Sequence, residues 1–186
     1  MKRSEINKIL NNTLSIIEKM GFKLPPFAYW KKEDWDKAGT EYDEIRDNML
    51  GWDVSDFGLG DFDKYGLVTF TLRNGNYYDK KYTKPYCEKI LILNEGQILP
   101  CHFHWLKMED IINRGGGNLI IELYGSNEDE SLSDNPLEVS INGKKALCRS
   151  GEQVKLVPGQ SITLKQRQYH RFWPEKGSGA LLLGEI

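Results

Sequence analysis

The sequence predicts a mainly β protein, a sandwich or barrel, preceded by a helical segment. Three observations predict it. Short β-rich runs bounded by glycine, asparagine or proline fill the chain after residue 66, no helical period interrupts them, and one long helical period lies near the N-terminus.

That period comes first. Ile6, Ile9, Leu10, Leu14, Ile17 and Met20 recur at helical spacing, with Ser4 as the expected cap and Gly21 as the stop. Pro25 and Pro26 then break the chain, a short charged helix is expected from Lys31 to Ala38, and Glu41 to Leu50 reads as a helical turn or a recognition loop. The strands follow. They are expected at Leu67 to Arg73, Glu88 to Leu93, Ile98 to His104, Asn118 to Tyr124, Leu137 to Ile141 and Lys144 to Cys148, then at Gln153 to Leu156, Ser161 to Leu164, His170 to Trp173 and Ala180 to Ile186. Asn142-Gly143 is the dipeptide of a two-residue hairpin turn. Ser126 to Asn135 reads as a solvated acidic loop. The expected organisation is one domain over residues 1–186, with a helical extension and loops over 1–65 and a β-barrel over 66–186.

Composition narrows the partners. With a net charge of -2, and no basic stripe to meet phosphates, a nucleic-acid partner is not expected. Met1 to Met20 is amphipathic and charged rather than a signal sequence, and no apolar run approaches the roughly 20 residues of a membrane span. Cys87, Cys101 and Cys148 are odd in number and form no CxxC pair, which points to a reducing cytoplasm. Cys101 is expected as a packed core thiol.

The three histidines carry the chemistry. His102 and His104, two apart on a strand, would present both imidazoles to one pocket. Glu109 would bring a carboxylate from the neighbouring strand, and His170 a third imidazole from another. Three nitrogens and one oxygen suit manganese, iron, zinc, nickel or cobalt, and a six-coordinate ion keeps two positions open for substrate or water.

The flanks give the pattern a family. Gly96, five residues, His102-x-His104, four residues, Glu109, six residues and Gly116 resemble the first cupin motif. Gly159, five residues and the run Lys165 to His170 resemble the second, but Lys165 and Arg167 stand where that family has proline and glycine, and Pro174 where asparagine is common. The resemblance implies a cupin double-stranded β-helix, a jelly-roll barrel. More narrowly, Glu41 to Gly75, the block HFHWLKMEDIINRGGGNLIIELY and the segment Ser161 to Glu185 resemble the cupin-type D-lyxose isomerases. That likeness implies a manganese-dependent aldose-ketose isomerase acting on a monosaccharide. D-lyxose would be interconverted with D-xylulose and often D-mannose with D-fructose, usually by a homodimer. Members typically continue past the equivalent of Gly184-Glu185-Ile186 with a tail containing acids and arginine.

Moving a hydrogen between C1 and C2 of an open-chain sugar requires the carbonyl and its neighbouring hydroxyl in one plane, and an acid-base group beside them. Lys107, tethered between His104 and Glu109, is expected near the ion with a lowered pKa, as acid or polarising group. Glu185 ends the apolar run ALLLGEI, where a buried carboxylate needs a partner or a role facing the metal. Glu122 is similarly placed but can as easily face solvent. Tyr169 and Arg171 would point away from His170. Trp105 and Trp173 are the tryptophans nearest the ligand segments and the candidates for stacking on a sugar. The same ligand set would serve an iron or nickel cupin dioxygenase, and the fold would also serve a non-catalytic sugar-binding cupin.

Overall fold

The computed structural model describes residues 1–186. In chain order the elements are α1 (Arg3–Lys19), α2 (Lys32–Lys37), α3 (Asp43–Asp47), β1 (Gly51–Ser55), α4 (Phe62–Tyr65), β2 (Leu67–Asn74), β3 (Cys87–Leu93) and β4 (Leu99–His102). They continue with β5 (Glu109–Gly116), β6 (Leu119–Ser126), β7 (Leu132–Ser133), β8 (Leu137–Ile141), β9 (Lys144–Cys148), β10 (Glu152–Leu156), β11 (Ser161–Leu164), β12 (Tyr169–Pro174) and β13 (Leu181–Glu185).

Two antiparallel sheets face each other. One runs β1-β2-β3-β13-β5-β11-β8-β9 and the other β10-β6-β12-β4. Between them lies a core built from alternate residues of both: Leu91 and Leu93, Leu181 and Leu183, Ile111 and Ile162 from the larger sheet, and Leu119, Ile121, Leu123 and Phe172 from the smaller. The other phase of the larger sheet is buried as well. Val68, Phe70, Ile90, Ile92 and Leu182 pack outward against Ile17 of α1 and against Leu24 and Ala28. Covering both faces explains why β3 and β13 read as unbroken apolar runs rather than alternating ones.

Several boundaries differ from the sequence expectation. The helix begins at Arg3, with Lys2 rather than Ser4 at the cap position, because Glu5 accepts from the Lys2 backbone N–H at 2.6 Å and closes the first turn. Within the segment expected as helices and loops, Gly51–Ser55 adds strand β1 to the edge of β2. Trp52 on that strand donates its indole N–H to the Ala28 carbonyl at 2.9 Å, tying the edge to the helical layer.

The turns follow the residues. Asn142 and Gly143 both take positive φ, +51° and +78°, and join β8 to β9 as a two-residue hairpin. Gly116 has φ +84°, and a Cβ there would collide with the Ala180 carbonyl oxygen, so this motif glycine is needed where β5 meets β13. No helix is long and apolar enough to cross a membrane.

Candidate metal centre and its carboxylate-lysine rim

The two sheets bring the four candidate ligands together from opposite walls. His102 ends β4 and His170 lies on β12, and they are direct cross-strand partners with ring centroids 4.3 Å apart. The ladder shifts between His170 and Phe172, so that Phe172 pairs with Leu99. One extra residue on β4, at the Pro100-Cys101 step, thus lets Leu99 and His102 both face inward although they are three apart. A bulge is where proline is tolerated in a strand.

Two expectations about this region are corrected. The strand stops at His102, so His104 stands on the following loop, yet its ring remains 4.9 Å from that of His102. Glu109 opens β5, whose neighbours are β13 and β11, so its carboxylate comes from the sheet opposite the histidines and not from an adjoining strand. Each of the three histidines offers a nitrogen within 4.8 Å of the others. Glu109 Oε1 lies 3.1 Å from His170 Nε2 and 3.5 Å from His104 Nε2.

The donor chemistry fits a cation at the centre. Nδ1 of His102 is 2.8 Å from the Pro100 carbonyl and Nδ1 of His170 is 3.1 Å from that of Gln168. A carbonyl only accepts, so each Nδ1 carries a proton and each Nε2 is the nitrogen turned toward the cluster. Glu109 Oε1 is buried and makes no well-directed hydrogen bond. Imidazole nitrogens and a carboxylate oxygen that converge at such distances need positive charge among them, as imidazole protons or as a bound cation. Burial, aided by the neighbouring His170, pushes the His102 imidazole down to about 4 and keeps it neutral, the form that binds metal. Burial pushes the Glu109 carboxyl up, but the facing imidazoles and the Lys107 ammonium outweigh it and hold it well below the usual carboxylate range.

A second group adjoins the first. Lys107 Nζ lies 2.6 Å from Glu109 Oε2 and 2.7 Å from Glu185 Oε1, and Lys89 Nζ stands 3.4 Å from the same Glu185 oxygen. Glu185 is therefore partnered, which explains a largely buried carboxylate at the end of an apolar strand. The lowering of the Lys107 pKa expected beside an ion is not what the protein groups alone produce. Burial works in that direction, but Glu185 and Glu109 outweigh it and raise the ammonium above its ordinary value.

This rim opens on a cavity of about 700 Å³ lined by Lys107, Glu109, Asp110 and Glu185 on one side and by Asn74, Asn76, Tyr77, Tyr78 and Tyr86 on the other. The histidines do not line it. Cavity and cluster meet at Glu109, whose two oxygens serve one each.

Other sequence candidates lie elsewhere. Glu122 is buried on the outer face of the smaller sheet, accepting from Tyr124 at 2.6 Å, Arg171 at 2.7 Å and Gln153 at 2.9 Å. Cys101 is exposed on that face rather than packed in the core, because it alternates with inward-facing His102. Trp173 stacks under Arg171 and Trp105 under Arg167, and neither lines the cavity. Lys89 escaped the sequence reading, although it shares the inward phase of Leu91 and Leu93 and a lysine in that phase is a signal. The tyrosines of the 76–86 loop gave none.

Comparison with known proteins agrees with this architecture. The D-lyxose isomerase family model matches residues 1–186. The chain belongs to the D-lyxose isomerase family. It is 45% identical to the D-lyxose/D-mannose isomerase of Escherichia coli O157:H7, over 100% of this chain and 82% of that protein. It is 43% identical to the D-lyxose/D-mannose isomerase of Serratia proteamaculans at the same coverage. Among solved structures, Cellulomonas parahominis L-ribose isomerase with L-psicose superposes with a TM-score of 0.59 at 17% identity, covering 100% of this chain and 83% of that one. Geodermatophilus obscurus L-ribose isomerase gives the same TM-score of 0.59, also at 17% identity, over 100% of this chain and 83% of that one. The fold of this family member is the cupin barrel, and the chain is an aldose-ketose isomerase.

Proposed function

We propose that the chain is a metal-dependent isomerase that interconverts D-lyxose with D-xylulose and D-mannose with D-fructose through a cis-enediol. His102, His104, Glu109 and His170 would hold the divalent cation, with manganese first among the candidates for this N3O set. The single observation that carries the reading is Lys107, whose ammonium joins ligand candidate Glu109 to the carboxylate of Glu185 at the cavity wall.

The bound cation supplies a Lewis acid that favours negative charge on the sugar oxygens. The remaining steps belong to side chains. Glu185 is the acid-base group: its carboxylate takes the proton from C2 of the aldose while O1 gains a proton, which forms the cis-enediol. Return of a proton to C1, with loss of the O2 proton, gives the ketose. Lys107, held cationic by its two carboxylates, orients Glu185 and offers an N–H to a substrate oxygen.

The cavity supports a neutral sugar. Its two lysines are engaged, Lys84 with Glu44 and Lys107 with Glu109 and Glu185, so no unpaired cation awaits a phosphate. D-lyxose and D-mannose share the configuration at C2, C3 and C4 and differ only beyond C4, so a site that grips the reacting end accepts both. Glu185 and Lys107 at the cavity wall supply an acid-base carboxylate and an N–H donor for proton transfer on a polyol, which favours the isomerase over a dioxygenase.

The test is to incubate manganese-loaded protein with each aldose in deuterated water and follow the products by NMR. Ketose formation with deuterium at C2 of recovered aldose is expected. Absence of ketose with manganese, cobalt and nickel would overturn the proposal.

A further inference from the structure

His104 sits on a loop, without the strand ladder that fixes His102 and His170, so something else must hold it. The segment around it is gripped from the 165–168 turn. The Arg167 backbone N–H donates to the His104 carbonyl at 2.9 Å. The Arg167 guanidinium carbon lies 5.4 Å from the centre of the Trp105 ring, and Nη2 donates to the Asn127 carbonyl at 2.7 Å, anchoring the arginine to the acidic loop. On the other side of His104, the Phe103 ring packs edge-on against Trp105 at 4.8 Å and against Tyr169 at 4.6 Å.

Arg167 accepts two costs to be there. Its φ is +62°, a conformation that glycine adopts freely and arginine does not. Its Nε is buried without a hydrogen-bond partner. A turn alone would be better served by glycine, so the side chain has a use that outweighs both costs.

We propose that Arg167 is a positioning residue for His104: by stacking on Trp105 while donating to the Asn127 carbonyl it fixes the loop that aims the His104 imidazole at the metal centre. This rests on the assignment of His104 as a ligand. Stacking on an indole and reaching a carbonyl with the same planar group is a task for a guanidinium, which an ammonium performs only in part. A group that orients a metal ligand from behind typically changes metal affinity about 10- to 100-fold when removed.

The experiment titrates the metal-free protein with Mn2+ by calorimetry and with Co2+ by its visible absorption, in Arg167→Gly, Arg167→Lys, Trp105→Leu and His104→Ala. Arg167→Gly relieves the backbone and removes the clamp, and is expected to weaken Mn2+ binding about 10- to 100-fold while the melting temperature of the metal-free protein stays the same or rises. Arg167→Lys should fall between it and the parent chain. Trp105→Leu should weaken binding to a similar degree, and its combination with Arg167→Gly should add little, since both remove one contact. A changed Co2+ spectrum in Arg167→Gly is expected from a displaced imidazole. Arg167→Gly binding Mn2+ within about twofold of the parent, while His104→Ala loses it, would overturn the inference alone. Unchanged binding in His104→Ala would overturn the ligand assignment, and the inference with it.

Discussion

Lys107 and Glu185 meet at 2.7 Å across the mouth of the barrel, although 78 residues separate them in the chain. The contact joins the loop that follows the histidines to the last strand. With Glu109 as second partner it makes one ammonium common to the candidate metal centre and the cavity wall. Removing that ammonium in Lys107→Met would leave two carboxylates facing each other, while the ligand set stays complete. Turnover should fall by about 10²- to 10⁴-fold, the range of a lost acid-base partner, with bound metal retained on elemental analysis. Full activity in this variant would show that the lysine only fills the rim.

Glu185→Gln keeps the shape of the side chain and removes its basicity. Ketose formation should drop by about 10²- to 10⁴-fold. Deuterium wash-in at C2 should disappear with it. A variant that lost ketose formation but still exchanged C2 with solvent would place the proton on another group.

Lys89 faces Glu185 directly in the β3-β13 ladder. Because Lys107 is the closer partner, Lys89→Met should be milder, lowering kcat by about 10-fold or less with little change in KM. A loss as large as that of Lys107→Met would make Lys89 the dominant partner of the carboxylate.

Acid should unsettle the metal-free protein through His102. Its folded-state pKa of about 4 lies below the ordinary imidazole value of 6.5, so between those values the unfolded chain binds the extra proton. Stability is therefore lost as pH falls from 6.5 toward 4, and is fully present above 6.5. Glu109, whose carboxyl is held low, loses its contribution only below its unfolded value of 4.5, in a lower window. Urea unfolding at pH 7, 6 and 5 without metal should show the decline, and His102→Ala should flatten it. An unchanged slope in His102→Ala would assign the decline to other groups.

Metal should stabilise as a ligand of the native state alone. At 100 times its dissociation constant a cation adds about 2.7 kcal/mol, and the melting temperature should track metal concentration. Chelation should reverse the gain, and His170→Ala should abolish it. A melting temperature indifferent to manganese, cobalt and nickel would leave the cluster without a metal role.

The sequence by itself determined the local and periodic features. Alternation gave the side of β12 on which His170 stands against Tyr169 and Arg171, Asn142-Gly143 gave its hairpin, and the spacing of His102, His104, Glu109 and His170 gave four candidate ligands whose side chains the fold brings together. These depend on neighbours in the chain, or on a two-residue period that each strand carries within itself. Tertiary structure decided how the walls face each other. It brought Glu109 from the sheet opposite His102 and His170, used a bulge at Pro100 to keep Leu99 and His102 on one side, and paired Glu185 with Lys107 and Lys89. The last pairing raises the lysine's pKa among the protein's own groups, because charge interactions depend on distance through space and β13 returns to the mouth only when the barrel closes. Arg167 shows the same division: its departure from the motif is visible in the sequence, but the clamp on Trp105 exists only once two loops distant in the chain are packed together.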